Sequence, residues 1–496
     1  MEGICPVTQS EGVTLAEHDR PRTSTEGHGS QDPAATEYTS RDAGADGGSP
    51  LLTTTLPRRR ESSARSYPQR LPITLAWGRG AVVGDTRGGE YIDCLAGAGA
   101  LALGHHHPAV DDAIRATLDS GAPLSTLDLS TPVRDQFVEQ LFSILPSSLS
   151  SGRILFCGPS GADAVEASIK LARTCTGRTG VIAFGGGYHG MTQGTLALTG
   201  RRSAKEPLGA LLPEVHHLPF PTEYRSPFGP SANADIAGRL VTWALTDDHS
   251  GIAAPAAVIA EPVQGEGGVY PMPAPFAATL RASTRSAGAV LVADEVQTGL
   301  GRTGSLWASD PIGLDPDVLV LSKAIGGGLP LAVIVHRGEL DAWQPGAHAG
   351  TFRGSALSMA AGAATIREVV RGGLADRARE LGQRLSDGLR AVAGDDARAG
   401  DIRGPGLMVG VELVDPAAAD ADGVPAPDGR LAQAVQRAMM NRGVIVEVGG
   451  TDDAVVRFLP PLIIDEEQID QVVDAFGAAL RAVPAALPHH NSKAPS

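Results

Sequence analysis

Five short, continuous apolar runs mark the middle of the chain, and each ends in a glycine-rich or polar segment. Because these runs are apolar throughout rather than alternating, they predict strands covered on both faces, as in a parallel sheet. Helical periodicity lies between them, for example in SGADAVEASIKLART from Ser160. The runs are RILFCGPSG from Arg153, GVIAFGGGYHG from Gly180, AAVIAEPVQGEGG from Ala256, AVLVADEVQTG from Ala289 and DVLVLSKAIGGG from Asp317. The pattern predicts an α/β fold with a mainly parallel central sheet.

The segments after these runs carry polar side chains that can form a site. In open parallel sheets, ligands bind at the carboxyl ends of the strands. We therefore expect the side chains that follow the five runs to share one edge of the sheet. They are Ser160, His189, Glu261, Asp294 and Lys323.

The pattern also divides the chain into regions. Residues 105–350 read as one large α/β domain, whereas 360–482 alternate helices and strands differently and predict a smaller α+β domain completed by residues 67–104. Residues 1–60 are rich in Ser, Thr, Gly, Asp and Pro, so we expect a disordered tail. Residues 483–496 are expected to be equally loose.

Charge and composition exclude several classes of function. The chain has 496 residues and a formal charge of -15, from 41 basic and 56 acidic side chains, which argues against binding to nucleic acid or to an anionic membrane surface. No apolar run approaches the roughly 20 residues that span a bilayer, and no signal peptide is evident. The four cysteines lack CxxC spacing and are expected to be reduced. A cytoplasmic protein is predicted.

Lys323 and Asp294 suggest a particular cofactor. A lysine held out of water loses proton affinity and becomes a nucleophile that forms a Schiff base with an aldehyde, although a lysine at a strand end also commonly extends its amine into solvent. Pyridoxal phosphate needs such a lysine and a carboxylate at its pyridine nitrogen. The helix start at Ser160, with a possible capping box to Asp163, offers free amides for the phosphate. Together these residues predict pyridoxal phosphate as the cofactor.

Two other motifs invite different interpretations. GGGYHG, from Gly185 to Gly190, fits the GxGxxG pattern of dinucleotide sites. A dinucleotide site also needs a helix after the motif and an acidic residue about twenty positions further on. Here the following segment is rich in Thr and Gly rather than clearly helical, and the acidic residue at that distance, Glu206, follows no strand. Both features disfavour that interpretation. GHHHP holds three adjacent histidines, His105 to His107, that cannot all face one ion from a tight turn, so no metal site is predicted.

A family resemblance rests on two motifs. ADEVQTGLGRTG and the later LSKAIGGGLP resemble the signature of class-III, ornithine-like aminotransferases of fold type I, and the resemblance runs from about residue 67 to 482. It implies that Lys323 binds the cofactor aldehyde and moves the proton, and that Asp294 pairs with the pyridine nitrogen. The remaining implied cofactor contacts are Gln297 near the hydroxyl and Ser160, Gly161 and Ala162 at the phosphate. Glu261 is a further cofactor-binding candidate, because it follows one of the apolar runs.

The resemblance also implies contacts from an aromatic side chain and from a second subunit. Tyr188 or His189, in YHG, is expected to stack on the cofactor ring. Thr351, in HAGTFRGSALS, is expected to reach the phosphate of the neighbouring subunit. The functional unit implied is a homodimer with shared active sites.

Two charged residues are implied to select substrates. Arg457 in VVRFLPPLII matches the family's carboxylate-binding arginine, and Glu266 in EPVQGEGG matches the glutamate that masks it. Such a pair lets one site accept glutamate and then a substrate that lacks a carboxylate at the same position. The alternative for Arg457 alone is a surface ion pair. Tyr67 is a further candidate for the distal end of the amino substrate.

Within the family, three segments most resemble the L-2,4-diaminobutyrate:2-oxoglutarate 4-aminotransferases: GPSGADAVEASIKLAR, WQPGAHAGTFRG and ARSYPQRLP. The implied reaction moves the amino group of L-glutamate to L-aspartate 4-semialdehyde. Ornithine is disfavoured, because LAGAGALALGHHHP has only small residues where ornithine enzymes carry a tyrosine. Open alternatives are another ω-aminotransferase (ornithine, 4-aminobutyrate or another diamine), a pyridoxal-phosphate aminomutase, a non-catalytic homologue that only binds the cofactor, and a dinucleotide oxidoreductase.

Overall fold

The computed structural model of the chain describes residues 62, 64, 70–209, 211–229 and 233–484. Residues 70 onward belong to one compact unit, Tyr67–Ser496. The tail predicted for residues 1–60, most of the loose C-terminal segment and the candidate Tyr67 lie outside the described residues.

Eighteen strands and ten α-helices follow one another in the described part of the chain. The strands are β1 Leu75–Arg79, β2 Val82–Asp85, β3 Glu90–Asp93, β4 Arg153–Phe156, β5 Val181–Phe184, β6 Val215–Leu218, β7 Ala257–Ala260, β8 Val263–Gln264, β9 Tyr270–Pro271, β10 Val290–Asp294, β11 Val318–Leu321, β12 Val333–His336, β13 Ala399–Arg403, β14 Val409–Ala419, β15 Pro425–Pro427, β16 Val444–Ile445, β17 Glu447–Gly449 and β18 Val455–Phe458. The helices are α1 Pro108–Asp119, α2 Pro132–Phe142, α3 Gly161–Thr176, α4 Gln193–Leu198, α5 Asn233–Thr246, α6 Ala274–Ala287, α7 Ala356–Arg371, α8 Leu374–Ala393, α9 Gly429–Met440 and α10 Glu466–Ala482. None of these helices is both long and apolar enough to cross a membrane.

A seven-stranded sheet forms the centre of the fold, in the order β4-β12-β11-β10-β7-β5-β6. The pairs among β11, β10, β7, β5 and β6 are parallel, and β12 runs antiparallel to both of its neighbours. The five apolar runs are β4, β5, β7, β10 and β11, so the prediction of a mainly parallel α/β sheet is confirmed. β6 and β12 were not among the predicted strands. Between β11 and β12 the chain forms only the 3-10 turn Lys323–Gly326 and no crossover helix, which agrees with the antiparallel return of β12.

Both faces of this sheet are covered, as the continuous apolar runs predicted. Along β10, Leu291 and Ala293 belong to one buried cluster, and Val290 and Val292 belong to another. Because alternate side chains of a strand point to opposite faces, the two clusters lie on opposite sides of the sheet. The central strands are therefore shielded from water, and only their ends are available for a site.

A smaller part of the fold is built on two further sheets. β3 pairs in parallel with β16, which joins the start of the described chain to its C-terminal region in the four-stranded sheet β1-β2-β3-β16. A second sheet has the order β13-β14-β18-β17, with β15 beside β14. The segment VIVEV, residues 444–448, takes part in two short strands, β16 and β17, which belong to different sheets. The smaller domain is present, and its boundaries at 67–104 and 360–482 stay a prediction.

Helix α7 fixes the turn that follows β11. A methyl group on Gly362 would overlap the carbonyl oxygen of Ile325, which lies in the 3-10 turn Lys323–Gly326. A backbone atom cannot move aside as easily as a side-chain end. The absence of a side chain at Gly362 therefore holds the helix close against the turn that carries Lys323.

We predict that Gly362→Ala lowers the free energy of unfolding by about 1–3 kcal/mol, the range for overpacking a filled core. Gly238→Ala in α5 is the matched control, because its new methyl group would meet only the end of the Thr279 side chain at 3.0 Å. Its cost is offset by the better helix propensity of alanine, so we expect a change within about 1 kcal/mol. Urea unfolding at one protein concentration measures both. Equal losses in the two variants would contradict the proposed role of Gly362.

Candidate active site

Neighbouring strands of the central sheet bring three candidate residues to one edge. Ala293 of β10 pairs with Ala260 of β7, and Asp294 pairs with Val320 of β11. Glu261 follows β7 directly, Asp294 ends β10, and Lys323 stands two residues beyond β11. The expectation that these polar side chains share the carboxyl edge of the sheet agrees with this register.

Lys323 opens the 3-10 turn after β11 in an unusual backbone conformation. Its φ is +46°, in the left-handed region that non-glycine residues seldom occupy. Such a conformation is held by its surroundings and is common at functional sites. Burial of the side chain lowers the pKa of the Lys323 amine, and the positive charge of Arg457 acts in the same direction, although the charge of Glu266 opposes both. The amine is therefore closer to its neutral, nucleophilic form than a solvent-exposed lysine.

Asp294 is fixed by a histidine. Its Oδ2 lies 2.8 Å from Nδ1 of His189, and its Oδ1 accepts a hydrogen bond of 3.1 Å from the backbone N–H of Val296. Both side chains are buried. Burial alone would lower the pKa of His189, but the hydrogen bond to Asp294 and the charges of Asp294 and Glu261 outweigh it and raise that pKa. The imidazole is thus favoured in its charged form beside a carboxylate.

Glu261 ties together the loops around the site. It accepts hydrogen bonds from the backbone N–H of Tyr188 at 2.7 Å and from that of Gly265 at 3.0 Å. Burial raises the pKa of Glu261 to about 7, despite the opposing charge of His189. Tyr188 itself leaves 40% of its surface exposed, whereas the ring of His189 is committed to Asp294. Of the two aromatic candidates, Tyr188 is the one whose ring faces open space.

The start of helix α3 was expected to bind a phosphate. Ser160 caps the helix by accepting from the backbone N–H of Asp163, and the amides of Gly161 and Ala162 belong to the first turn, which has no acceptor within a helix. A methyl group on Gly161 would stand 3.0 Å from the side chain of Val296. The glycine therefore lets α3 approach the end of β10 without displacing the Val296 side chain.

The predicted capping box between Ser160 and Asp163 is wrong in its second half. Instead of returning to Ser160, the Asp163 carboxylate accepts from the backbone N–H of Gly158 and contacts His348 at 3.0 Å and Arg353 at 3.2 Å. These contacts join α3 to the loop before α7. Because Arg353 and His348 are distant in sequence, no local pattern could reveal them.

Gln297 presents an unsatisfied oxygen. Its Nε2 donates to the carbonyl of Ala98 at 3.2 Å and to Glu266 Oε1 at 3.5 Å. Its buried Oε1 has no hydrogen-bond partner among the residues that the structure describes. A buried acceptor without a donor costs about 1–3 kcal/mol unless a ligand supplies one. The hydroxyl of pyridoxal phosphate is such a donor, and the amine, carboxylate and helix-start amides match its other groups, so these residues fit the cofactor.

Arg457 of β18 is fully buried and faces two carboxylates. Its Nη2 donates to both oxygens of Glu266 at 2.9 Å and to Oε2 of Glu447 at 2.7 Å. Burial would raise the pKa of Glu266, but the charges of Arg457 and Lys323 outweigh it and lower that pKa. For Glu447, burial prevails over the charge of Arg457 and raises the pKa. The site therefore favours the charged form of Glu266, and the masking role predicted for this residue stays a prediction.

Glu447 was not among the candidates found from the sequence. The only local indication of a functional role is that it is a charged residue inside the apolar segment GVIVEVGG. Its meaning depends on which strand pairs with it, and that pairing cannot be read from the segment itself.

The remaining candidates lie away from this cluster or stay untested. Thr351 is exposed on the loop before α7, and its predicted contact with a neighbouring subunit stays a prediction. His105 and His106 of GHHHP turn to different partners, Asp93 at 2.8 Å and Asp111 at 3.2 Å. Cys157, Asp163 and His348 place potential metal ligands within 4.8 Å of one another, but Asp163 is already engaged by Gly158 and Arg353.

The chain resembles several known proteins over most of its length. The family model described as aminotransferase class III matches residues 62–480. Two relatives named "Diaminobutyrate--2-oxoglutarate aminotransferase" are 51% identical, from Rhizobium meliloti, and 46% identical, from Haemophilus influenzae. The first alignment covers 85% of this chain and 90% of the relative, and the second covers 84% and 92%.

A solved structure is also similar. The omega transaminase from Pseudomonas jessenii in complex with PMP superposes with a TM-score of 0.78 at 27% identity, covering 86% of this chain and 98% of that one. The predicted resemblance is confirmed by the family match and by both relatives. The chain belongs to the class-III aminotransferases.

Proposed function

We propose that this enzyme uses pyridoxal phosphate to move the amino group of L-glutamate to L-aspartate 4-semialdehyde, giving 2-oxoglutarate and L-2,4-diaminobutyrate. The observation that carries the proposal is the buried Arg457 masked by Glu266 beside Lys323. The names of the relatives at 51% and 46% identity support the same substrates. The reaction is reversible, so diaminobutyrate and 2-oxoglutarate are substrates in the other direction.

The chain offers a partner for each part of the cofactor. Gly161 and Ala162 would hold the phosphate with Ser160, Asp294 would pair with the pyridine nitrogen, and Gln297 would accept from the hydroxyl. The exposed ring of Tyr188 would stack on the cofactor face. When bound, pyridoxal phosphate supplies a protonated ring that stabilises negative charge at the carbon bearing the amino group.

Protein groups hold and move the protons. The 2.8 Å contact with His189 holds the Asp294 carboxylate in place, where it would pair with a protonated ring nitrogen. Lys323, whose pKa is lowered by burial, would take a proton from the substrate carbon and deliver it to the cofactor carbon that receives the amino group. Glu261 keeps the Tyr188 and Gly265 loops in register around these groups.

Arg457 and Glu266 allow two unlike substrates to use one site. In the glutamate half-reaction Glu266 turns away, and the substrate carboxylate takes its place on Arg457. Diaminobutyrate reacts at its terminal amine and has no carboxylate there, so Glu266 remains on the arginine. A unit charge pair at about 4 Å and an effective dielectric near 20 is worth roughly 4 kcal/mol, so an unmasked Arg457 would strongly disfavour the second substrate.

We also propose a homodimer in which the exposed Thr351 of each subunit reaches the cofactor phosphate of the other. Its exposure on the loop before α7 supports this proposal, because an exposed side chain is accessible to a neighbouring subunit. The cytoplasmic location expected from the composition stays a prediction.

The direct test is to supply purified enzyme with L-glutamate and L-aspartate 4-semialdehyde. We expect diaminobutyrate and 2-oxoglutarate to form in equal amounts. We further expect Lys323→Ala to lower the rate by at least about 10²–10⁴-fold, because the base is lost. Consumption of diaminobutyrate without 2-oxoglutarate would favour an aminomutase, and reaction with glutamate but not diaminobutyrate would favour another ω-aminotransferase. Wild-type turnover by Lys323→Ala would contradict the assignment.

For Glu266→Gln, we predict a fall in kcat/KM for diaminobutyrate of about tenfold, or 1.4 kcal/mol, with kcat/KM for glutamate equal or higher. The amide still bonds to Arg457 but no longer neutralises it. Glu223→Gln, at an exposed carboxylate, serves as the matched control and is expected to change neither value. A loss of the same size for both substrates would show that Glu266 is not a selective mask.

A further inference from the structure

Glu447 and Arg457 stand directly opposite each other on paired strands. The two residues are Cα partners in the antiparallel pair of β17 and β18, and their side chains meet at 2.7 Å. Opposed residues on one face of such a pair are the unit of interaction in a sheet. On the other side of β18, the partner of Arg457 is Gly410, which has no side chain. The sheet therefore supplies Arg457 with a single cross-strand carboxylate.

The second carboxylate on Arg457, that of Glu266, comes from a loop rather than from a strand. Glu266 lies in a loop between Gly265 and Gly267, and Gly268 has a φ of +120° that favours glycine. Glu447, in contrast, belongs to a strand whose backbone is fixed by its ladder with β18. A side chain on a glycine-flanked loop changes orientation more easily than one held in a ladder. The two carboxylates on Arg457 thus differ in their freedom to leave it.

The charges around Arg457 do not balance when both carboxylates are ionised. Two negative groups share one guanidinium, and the other positive charges that act on Glu447 come from Lys323 and, more weakly, from Arg70. A methyl group on Gly449 would stand 3.0 Å from Arg457 Nε, so the bare backbone there keeps room for the guanidinium. A substrate carboxylate that replaces Glu266 would still meet the negative charge of Glu447.

We infer that Glu447 is a fixed counter-charge and a specificity residue: it stays on Arg457 when Glu266 leaves, and it weakens the hold of the arginine on a substrate carboxylate. This inference rests on the proposed function. The weaker hold lets 2-oxoglutarate depart and lets Glu266 return before the substrate without a carboxylate binds. Glu447 is a positioning residue, since it acts on substrates through Arg457.

The test is Glu447→Gln, which retains an oxygen acceptor for Arg457 and removes the charge. Glutarate, a dicarboxylate that cannot react, is titrated into the cofactor-loaded wild type and the variant by calorimetry. We expect the variant to bind glutarate on the order of tenfold more tightly, because a nearby like charge has been removed. In single-turnover reactions the half-saturating glutamate concentration should fall by a similar factor, while that of diaminobutyrate stays within about twofold.

A structural role alone would lower the melting temperature or change both substrates alike. Glu447→Asp is the second variant, since it keeps the charge but withdraws it by one methylene, and it should shift glutarate binding in the same direction by a smaller factor. Unchanged or weaker glutarate binding in either folded variant would overturn the inference. If the wild type fails to react with glutamate at all, the proposed function fails and the inference falls with it, which is a different result from an unchanged ratio between variant and wild type.

Discussion

The buried guanidinium of Arg457 is the interaction on which the rest of the site depends. Removing a charge from water costs several kcal/mol unless partners replace its hydration. Arg457 is fully buried, and Glu266 and Glu447 both bind its Nη2. The two carboxylates replace the water that the buried guanidinium has lost. In the proposed exchange a substrate carboxylate takes the place of Glu266, so the guanidinium keeps two negatively charged partners.

Two separate sheets have to meet for this balance to exist. The central sheet brings Asp294 and Glu261 to its carboxyl edge and sets Lys323 just beyond it. The sheet that contains β17 and β18 supplies Arg457 and Glu447 from the far end of the chain. Glu266, on the loop after β8, stands between them and feels charges from both Lys323 and Arg457. Glu266 thus connects the proposed cofactor site with the arginine proposed to select substrates.

The features that could be predicted from the sequence are those that depend on residues close together in the chain. The apolar runs predicted β4, β5, β7, β10 and β11, because a strand buried on both faces is apolar along its whole length. The polar candidates were found because each one follows an apolar run in the sequence.

Contacts between distant segments produce no pattern in the local sequence. The partners of Asp163 lie nearly two hundred residues away, and Glu447 acquires its meaning only through the register of β17 against β18. The sequence located Tyr188 and His189 but did not show which of the two would stack on the cofactor ring. The hydrogen bond between His189 and Asp294 distinguishes them, and it joins residues that follow different strands.

The most direct measurement of the central claim is a crystal structure of the cofactor-loaded enzyme with glutarate bound. The account predicts that one glutarate carboxylate occupies Arg457, that the Glu266 side chain has turned away, and that Glu447 remains within hydrogen-bond distance of Nη2. A structure in which glutarate binds while Glu266 still covers Arg457, or in which Glu447 is the side chain that leaves, would contradict it.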